Sequence, residues 1–174
     1  MENLSYPIGR YVPTEFSEKL LQERLLDIRD LPQRIEYAIT NLDADQLHTA
    51  YRPQGWTVHE LVHHIADSHT NAYIRFKLGL TEENPTIKPY DQDAWVKLDD
   101  TINLPINVSL TLLHALHKRW YEAIKSISID QLNRTVYHPE QEKTISLWDL
   151  LGMYVWHGLH HEAHILRLRE KMNW

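Results

Sequence analysis

The sequence predicts an all-α protein, a four-helix bundle with a long crossover loop, formed as one domain over residues 1–174. Three observations carry that prediction. Four long segments repeat apolar residues at three- and four-residue steps. Two of them are preceded by helix-start signals of the form Ser/Thr-x-x-Glu/Asp. The connections between them include one stretch far too long for a tight turn.

The elements follow in order. The first dozen residues, with Pro7, Gly9 and Pro13, read as extended chain. A helix is predicted over about 14–42, where Leu20, Leu21, Leu25, Ile28, Leu31, Ile35 and Ala38 keep helical spacing. Pro32 should kink or interrupt it. After Pro53 and Gly55, Thr57 and Glu60 form a capping box for a second helix that runs to about Leu80. Residues 82–107 carry three prolines and mixed charge, which suits a crossover over the bundle end or a lid. A third helix covers about Ser109–Ser126, and a short turn of helix follows at Ile129–Leu132. RTVYHPEQEKTIS reads as a tight turn or small hairpin, and Ser146-x-x-Asp149 caps a final helix reaching about Met172.

Composition narrows the function. The net charge is −6 and no basic cluster occurs, which argues against a nucleic-acid partner. With no cysteine, the chain has no disulfide, thiolate ligand or cysteine nucleophile. MENLSYPIGRYVP has neither the cationic end nor the apolar run of a signal peptide, and no segment approaches a membrane span. A cytoplasmic setting without a membrane partner is expected. Dinucleotide, P-loop and serine-hydrolase motifs (GxGxxG, GxxxxGK, GxSxG) are absent. Histidine is the outlier. There are twelve, and eight lie in two clusters: His59, His63, His64 and His69, then His157, His160, His161 and His164.

At about 100° per residue, Leu147, Leu150, Tyr154, Ile165, Leu168 and Met172 form the inward stripe of the last helix. His161 falls within it and His157 at its edge, one turn apart. His164 lies further round, and His160 falls on the side predicted to face solvent. An inward histidine is most often a hydrogen-bonded core residue. Two beside one stripe are harder to satisfy, because each unpartnered buried imidazole costs about 1–3 kcal/mol. A divalent ion would partner both. The sequence is not a zinc-protease HExxH: Glu162 follows His161, but the fourth position is Ile165. Glu162 is therefore expected at the surface or rim. On the second helix the apolar arc disfavours His63 as a third ligand. His64 and His69 stay open, with His64 on the more polar flank.

The combination GWTVHELVHHIADSHTNAYIRFKLGLTEENPTIKPYDQDAW, YHPE and LWDLLGMYVWHGLHHEAHI resembles the DinB/YfiT-like family of metal-dependent hydrolases over nearly the whole chain. The resemblance implies a four-helix bundle with one divalent metal per subunit, zinc ahead of nickel. It implies a homodimer, and the metal ligands it carries over are His64, His157 and His161. Some relatives resemble S-transferases that join a low-molecular-weight thiol such as bacillithiol to electrophiles. Three neutral imidazoles leave a coordination position open, as catalytic sites do. The expected function is metal-dependent hydrolysis of a small-molecule substrate by activated water, with thiol transfer as the alternative and a non-catalytic metal-binding bundle as a third reading. Asp67, Asn71, Tyr154, His138 and Asp91 are candidates to orient ligands or line the cleft, with caps and bundle hydrogen bonds as the simpler explanation of each. Asp67 is the weakest, on the same predicted solvated side as His63.

Overall fold

A computed structural model describes residues 5–174, so the expectation of extended chain over 1–4 lies outside the described residues. In chain order the elements are α1 (Glu18–Ile39), α2 (Ala44–Leu47), α3 (Val58–Thr81), α4 (Gln92–Trp95), α5 (Asp99–Asn103), α6 (Ile106–Ile124), α7 (Ile129–Leu132), β1 (Thr135–His138), β2 (Lys143–Ser146) and α8 (Leu147–Met172). The predicted starts hold at their caps. Thr57 and Glu60 make the full capping box of α3, and the Ser146 hydroxyl accepts from the Asp149 N–H at 3.0 Å. The first helix begins later than its periodicity suggested, because Ser17 caps it at the Leu20 N–H.

Helices α1, α3, α6 and α8 form the bundle, and their packing order is not their chain order. Each of α1 and α3 packs on both α6 and α8, so α1 and α3 face each other across a diagonal. The long 82–107 connection is no bare loop. It contains α4 and α5, buries Ile87 completely, and is pinned to β1 by reciprocal bonds from Ile87 N–H to Tyr137 O and from Tyr137 N–H to Pro85 O, both 2.9 Å. The expected small hairpin is present as antiparallel β1–β2, with Thr135 opposite Ser146.

Two apolar clusters fill the bundle. One surrounds Ile28, Phe76, Trp120, Leu147 and Tyr154; the other surrounds Leu61, Ile65, Leu113 and Ile165. Between them in sequence on α3, α6 and α8 sit His69, His117 and His161, all buried. A layer of imidazoles thus separates two dry cores.

Pro32 does not interrupt α1, which stays helical across it. Its missing N–H leaves the Ile28 carbonyl without the usual i+4 donor. His117 Nδ1 lies 2.5 Å from that carbonyl and replaces the donor.

The N-terminal segment straps the outer face of α8. Trp156 Nε1 donates to Gly9 O at 3.1 Å, Trp148 Nε1 to Thr14 O at 2.7 Å, and Arg167 Nη2 to Pro7 O at 2.6 Å. Gly9 adopts φ +79°, a left-handed turn that favours glycine. Among the described residues no helix is long and apolar enough to cross a membrane.

Close approach of α8 to α1 depends on Gly158. A Cβ there would lie 2.5 Å from Leu31 Cδ2, 2.9 Å from Cδ1 and 3.2 Å from Cγ, so the whole buried leucine would have to move. Gly158→Ala is expected to destabilise the fold by about 1–2 kcal/mol, overpacking outweighing the gain in helix propensity. Equal or raised stability in urea unfolding would show that Leu31 repacks freely.

Candidate metal centre

The three histidines carried by the family resemblance meet at one point. α3 supplies His64, and α8 supplies His157 and His161 one turn apart. One ring nitrogen from each lies within 4.8 Å of the other two. His157 Nε2 is 3.2 Å from His64 Nε2 and 3.1 Å from His161 Nε2. Nitrogens at about 2.0–2.1 Å from a tetrahedral zinc stand roughly 3.3 Å apart. The trio therefore has the separations an ion requires, and the donor set of three imidazoles suits zinc or nickel.

Burial keeps these rings neutral, the form a ligand needs. The His64 pKa is lowered to about 4 by burial alone. Those of His157 and His161 lie well below the ordinary 6.5, first through burial and then through neighbouring imidazoles. His157 is also oriented from behind: its Nδ1 lies 3.3 Å from His69 Nε2. His161 Nδ1, by contrast, is buried with no hydrogen-bond partner among the described residues.

A cavity of about 560 Å³ opens onto the trio, walled by Tyr6, Tyr51, Trp56 and Trp156, with Arg52 and Asp93 among its lining. That volume suits a small organic ligand. Trp56 packs against His64 with ring centroids 4.5 Å apart. Trp56, just before α3, and Trp156, within α8, thus form two walls of the cavity.

The histidines outside the trio fall differently from the periodicity reading. His160 is not solvent-facing: it is buried, stacked on Trp156 at 4.6 Å, and its Nε2 lies 3.1 Å from His164 Nε2. Its pKa is lowered to about 4, and that of His164 to about 3, chiefly by burial. Tyr6 of the N-terminal strap, 5.9 Å from His160 between ring centroids, and Tyr51, 4.1 Å from His164, supply the cover. His63 is likewise buried, held near Leu104 O at 3.2 Å and Ser109 Oγ at 2.8 Å. α5 and α6 close over the face of α3 that was predicted to be wet. His69 belongs to the core, completely buried beside His117.

The remaining candidates are mostly structural. Asp91 caps α4 at the Ala94 N–H, and the Asn71 amide donates to Asp67 O at 2.9 Å. Tyr154 accepts from Arg75 at 2.7 Å and stands edge-on to His69. His138 ends β1, buried. Asp67 is half-buried, not solvated; burial, with Asp100 adding, raises its carboxyl pKa to about 6. Glu162 is indeed no protease base. It accepts from Arg34 Nε and Nη2 at 2.9 and 2.8 Å and ties α8 to α1.

The fold and its sequence pattern place the chain in the DinB superfamily, to which it belongs. The DinB superfamily profile matches residues 27–165. The chain is 48% identical to a Bacillus cereus protein provisionally named a metal-dependent hydrolase, over 175 residues and the full length of both. YfiT from Bacillus subtilis, described as a probable metal-dependent hydrolase with an unusual four-helix bundle topology, superposes with TM-score 0.96 at 44% identity, covering 99% of each chain. A mycothiol-dependent maleylpyruvate isomerase shares the fold alone, with TM-score 0.60 and 20% identity over 80% of this chain and 60% of its own.

Proposed function

We propose that the protein is a metal-dependent hydrolase acting on a small molecule, with His64, His157 and His161 as the ligands of one divalent ion. The observation that carries this reading is the convergence of three neutral imidazoles, His64 and His161 buried and His157 half-buried, at metal-ligand spacing on a cavity of about 560 Å³. Structural zinc sites are usually closed by four protein ligands, whereas three leave room for water or substrate. An ion bound there supplies Lewis acidity and brings the pKa of water to about 7. The chain's own part is to hold the nitrogens deprotonated by burial, to fix the His157 ring through His69, and to limit bulk water with aromatic walls. Zinc is the ion proposed, ahead of nickel, because it accepts three imidazoles in a tetrahedral arrangement.

Thiol transfer is the second reading, because an ion held by the same three histidines could equally hold a thiolate; the chain has no cysteine, so the thiol would enter as a cosubstrate. A homodimer in the cytoplasm is proposed with either activity. The exposed apolar side chains of Leu104, Val108 and Leu112, spaced at four residues, support a second copy as partner.

The test is turnover by zinc-loaded protein of an activated ester in water, and of an alkyl halide or epoxide with and without a small thiol. Ester hydrolysis independent of thiol is expected. Turnover only when thiol is present would replace hydrolysis by transfer, and failure to bind a stoichiometric divalent ion would remove both.

A further inference from the structure

Four hydrogen-bonding groups, one from each bundle helix, stand in line behind the candidate metal centre. The Ile28 carbonyl on α1 lies 2.5 Å from His117 Nδ1 on α6. His117 Nε2 lies 3.0 Å from His69 Nδ1 on α3, and His69 Nε2 lies 3.3 Å from His157 Nδ1 on α8. His69 and His117 are wholly buried, and the line has an acceptor-only group at its far end.

We propose that His117 and His69 are positioning residues that lock His157 in the Nδ1–H tautomer, leaving its Nε2 lone pair free for a metal, with Pro32 setting the direction of the whole line. This rests on the metal reading of the three-histidine site.

The direction follows from donor and acceptor counting. A carbonyl oxygen only accepts, so His117 must carry its proton on Nδ1. A neutral imidazole has one N–H, so His117 Nε2 accepts, and His69 must donate from Nδ1. His69 Nε2 then accepts in turn, and His157 must donate from Nδ1. Reversing the line would face the His117 Nδ1 lone pair at the Ile28 oxygen across 2.5 Å, acceptor against acceptor. A doubly protonated ring would break the count, but both His117 and His69 are wholly buried, where a charged imidazole is disfavoured. Pro32 enters because it has no N–H for the Ile28 carbonyl, which an ordinary residue would engage within the helix. A histidine ligand usually has its other nitrogen fixed by one carboxylate or carbonyl. Here the fixing carbonyl is three hydrogen bonds away, through two intervening imidazoles.

The experiment is long-range ¹H–¹⁵N NMR of the metal-free protein, which reads each ring's tautomer directly, combined with zinc titration. In the unsubstituted protein His117, His69 and His157 are expected all as Nδ1–H. Finding His157 as Nε2–H overturns the lock while leaving the metal reading to the titration; no zinc binding despite the expected tautomers overturns the metal reading. His117→Phe keeps a ring of similar size but cuts the line. His69 is then expected to populate both tautomers, His157 to gain an Nε2–H form, and zinc affinity to fall roughly tenfold, the lower end for an outer-shell partner. A merely structural His117 would lower stability and leave the His157 tautomer and zinc affinity unchanged, and that result would sink the proposal. Should His117→Phe fail to fold, the tautomers of the unsubstituted protein decide alone.

Discussion

His157→Ala is expected to abolish stoichiometric zinc binding and the activity that depends on it. His157 is the one ring whose Nε2 lies within 3.2 Å of both other candidate ligands. Its loss leaves His64 and His161 as a two-nitrogen site and strips His69 Nε2 of its neighbour. The fall in affinity should exceed the ~10–100-fold that losing an outer-shell partner costs. His160→Ala is the matched control, since His160 is buried on the same helix but pairs with His164 instead of the trio. It should keep the metal. Metal content by mass spectrometry after gel filtration separates the two, and a His160→Ala protein that loses zinc while His157→Ala retains it would reverse the ligand assignment.

Acid should unfold the metal-free protein at unusually mild pH. Burial holds the pKa values of His64, His117 and His160 at about 4 and that of His164 at about 3, against about 6.5 in an unfolded chain. Above pH 6.5 these rings are neutral in both states and contribute nothing. Below it the unfolded chain takes up protons that the folded chain refuses, so stability falls as pH drops toward 4. Each such ring lowers stability by up to about 1.4 kcal/mol per pH unit, and four together by at most about 5.5 per unit. Asp67 works in the opposite sense: its folded pKa, raised to about 6, favours the folded state as pH falls. One carboxyl does not offset four imidazoles. The expected result is an unfolding midpoint between about pH 4 and 6 by circular dichroism, shifted lower by added zinc as the ion competes with protons for the trio. A metal-free protein whose urea midpoint stays flat from pH 7 to 4.5 would contradict the burial of these rings.

How far the sequence speaks depends on whether a residue's surroundings are local. Capping boxes are local, so the starts of α3 and α8 were readable from Thr57 and Ser146. The pair on α8 was readable because His161 falls on an apolar stripe and His157 at its edge. Between His64 and His69, periodicity could not choose, since both flank the arc of α3; the family pattern made the choice. His160 and His63 were misread for one shared reason. Helical periodicity recognises apolar cover only, and these faces are covered by groups it does not count: Trp156, His164 and Tyr6 of the N-terminal strap around His160, and Leu104 and Ser109 on His63. His117 went unconsidered, although its place among Leu113, Leu116, Trp120 and Ile124 marks it as inward. A mid-helix proline on a neighbouring helix, with a carbonyl to spare, was the complementary signal.

The diagonal placement of α1 and α3 bears on how the chain reaches its native state. In an up-and-down bundle each helix folds back on the one just made, so short loops close first and assembly is quick. Here α1 has no partner in α3; its neighbours are α6 and α8, which begin at Ile106 and Leu147. Of the long helices, only α3 and α6 are both consecutive and in contact, which makes them the natural nucleus. The apolar face of α1 must wait in water until more than half the chain has been made, since α6 starts only at Ile106. A nascent chain of this protein therefore exposes its first helix for longer than a simple bundle would, and its folding rate should respond more to substitutions on α3 and α6 than to those on α1.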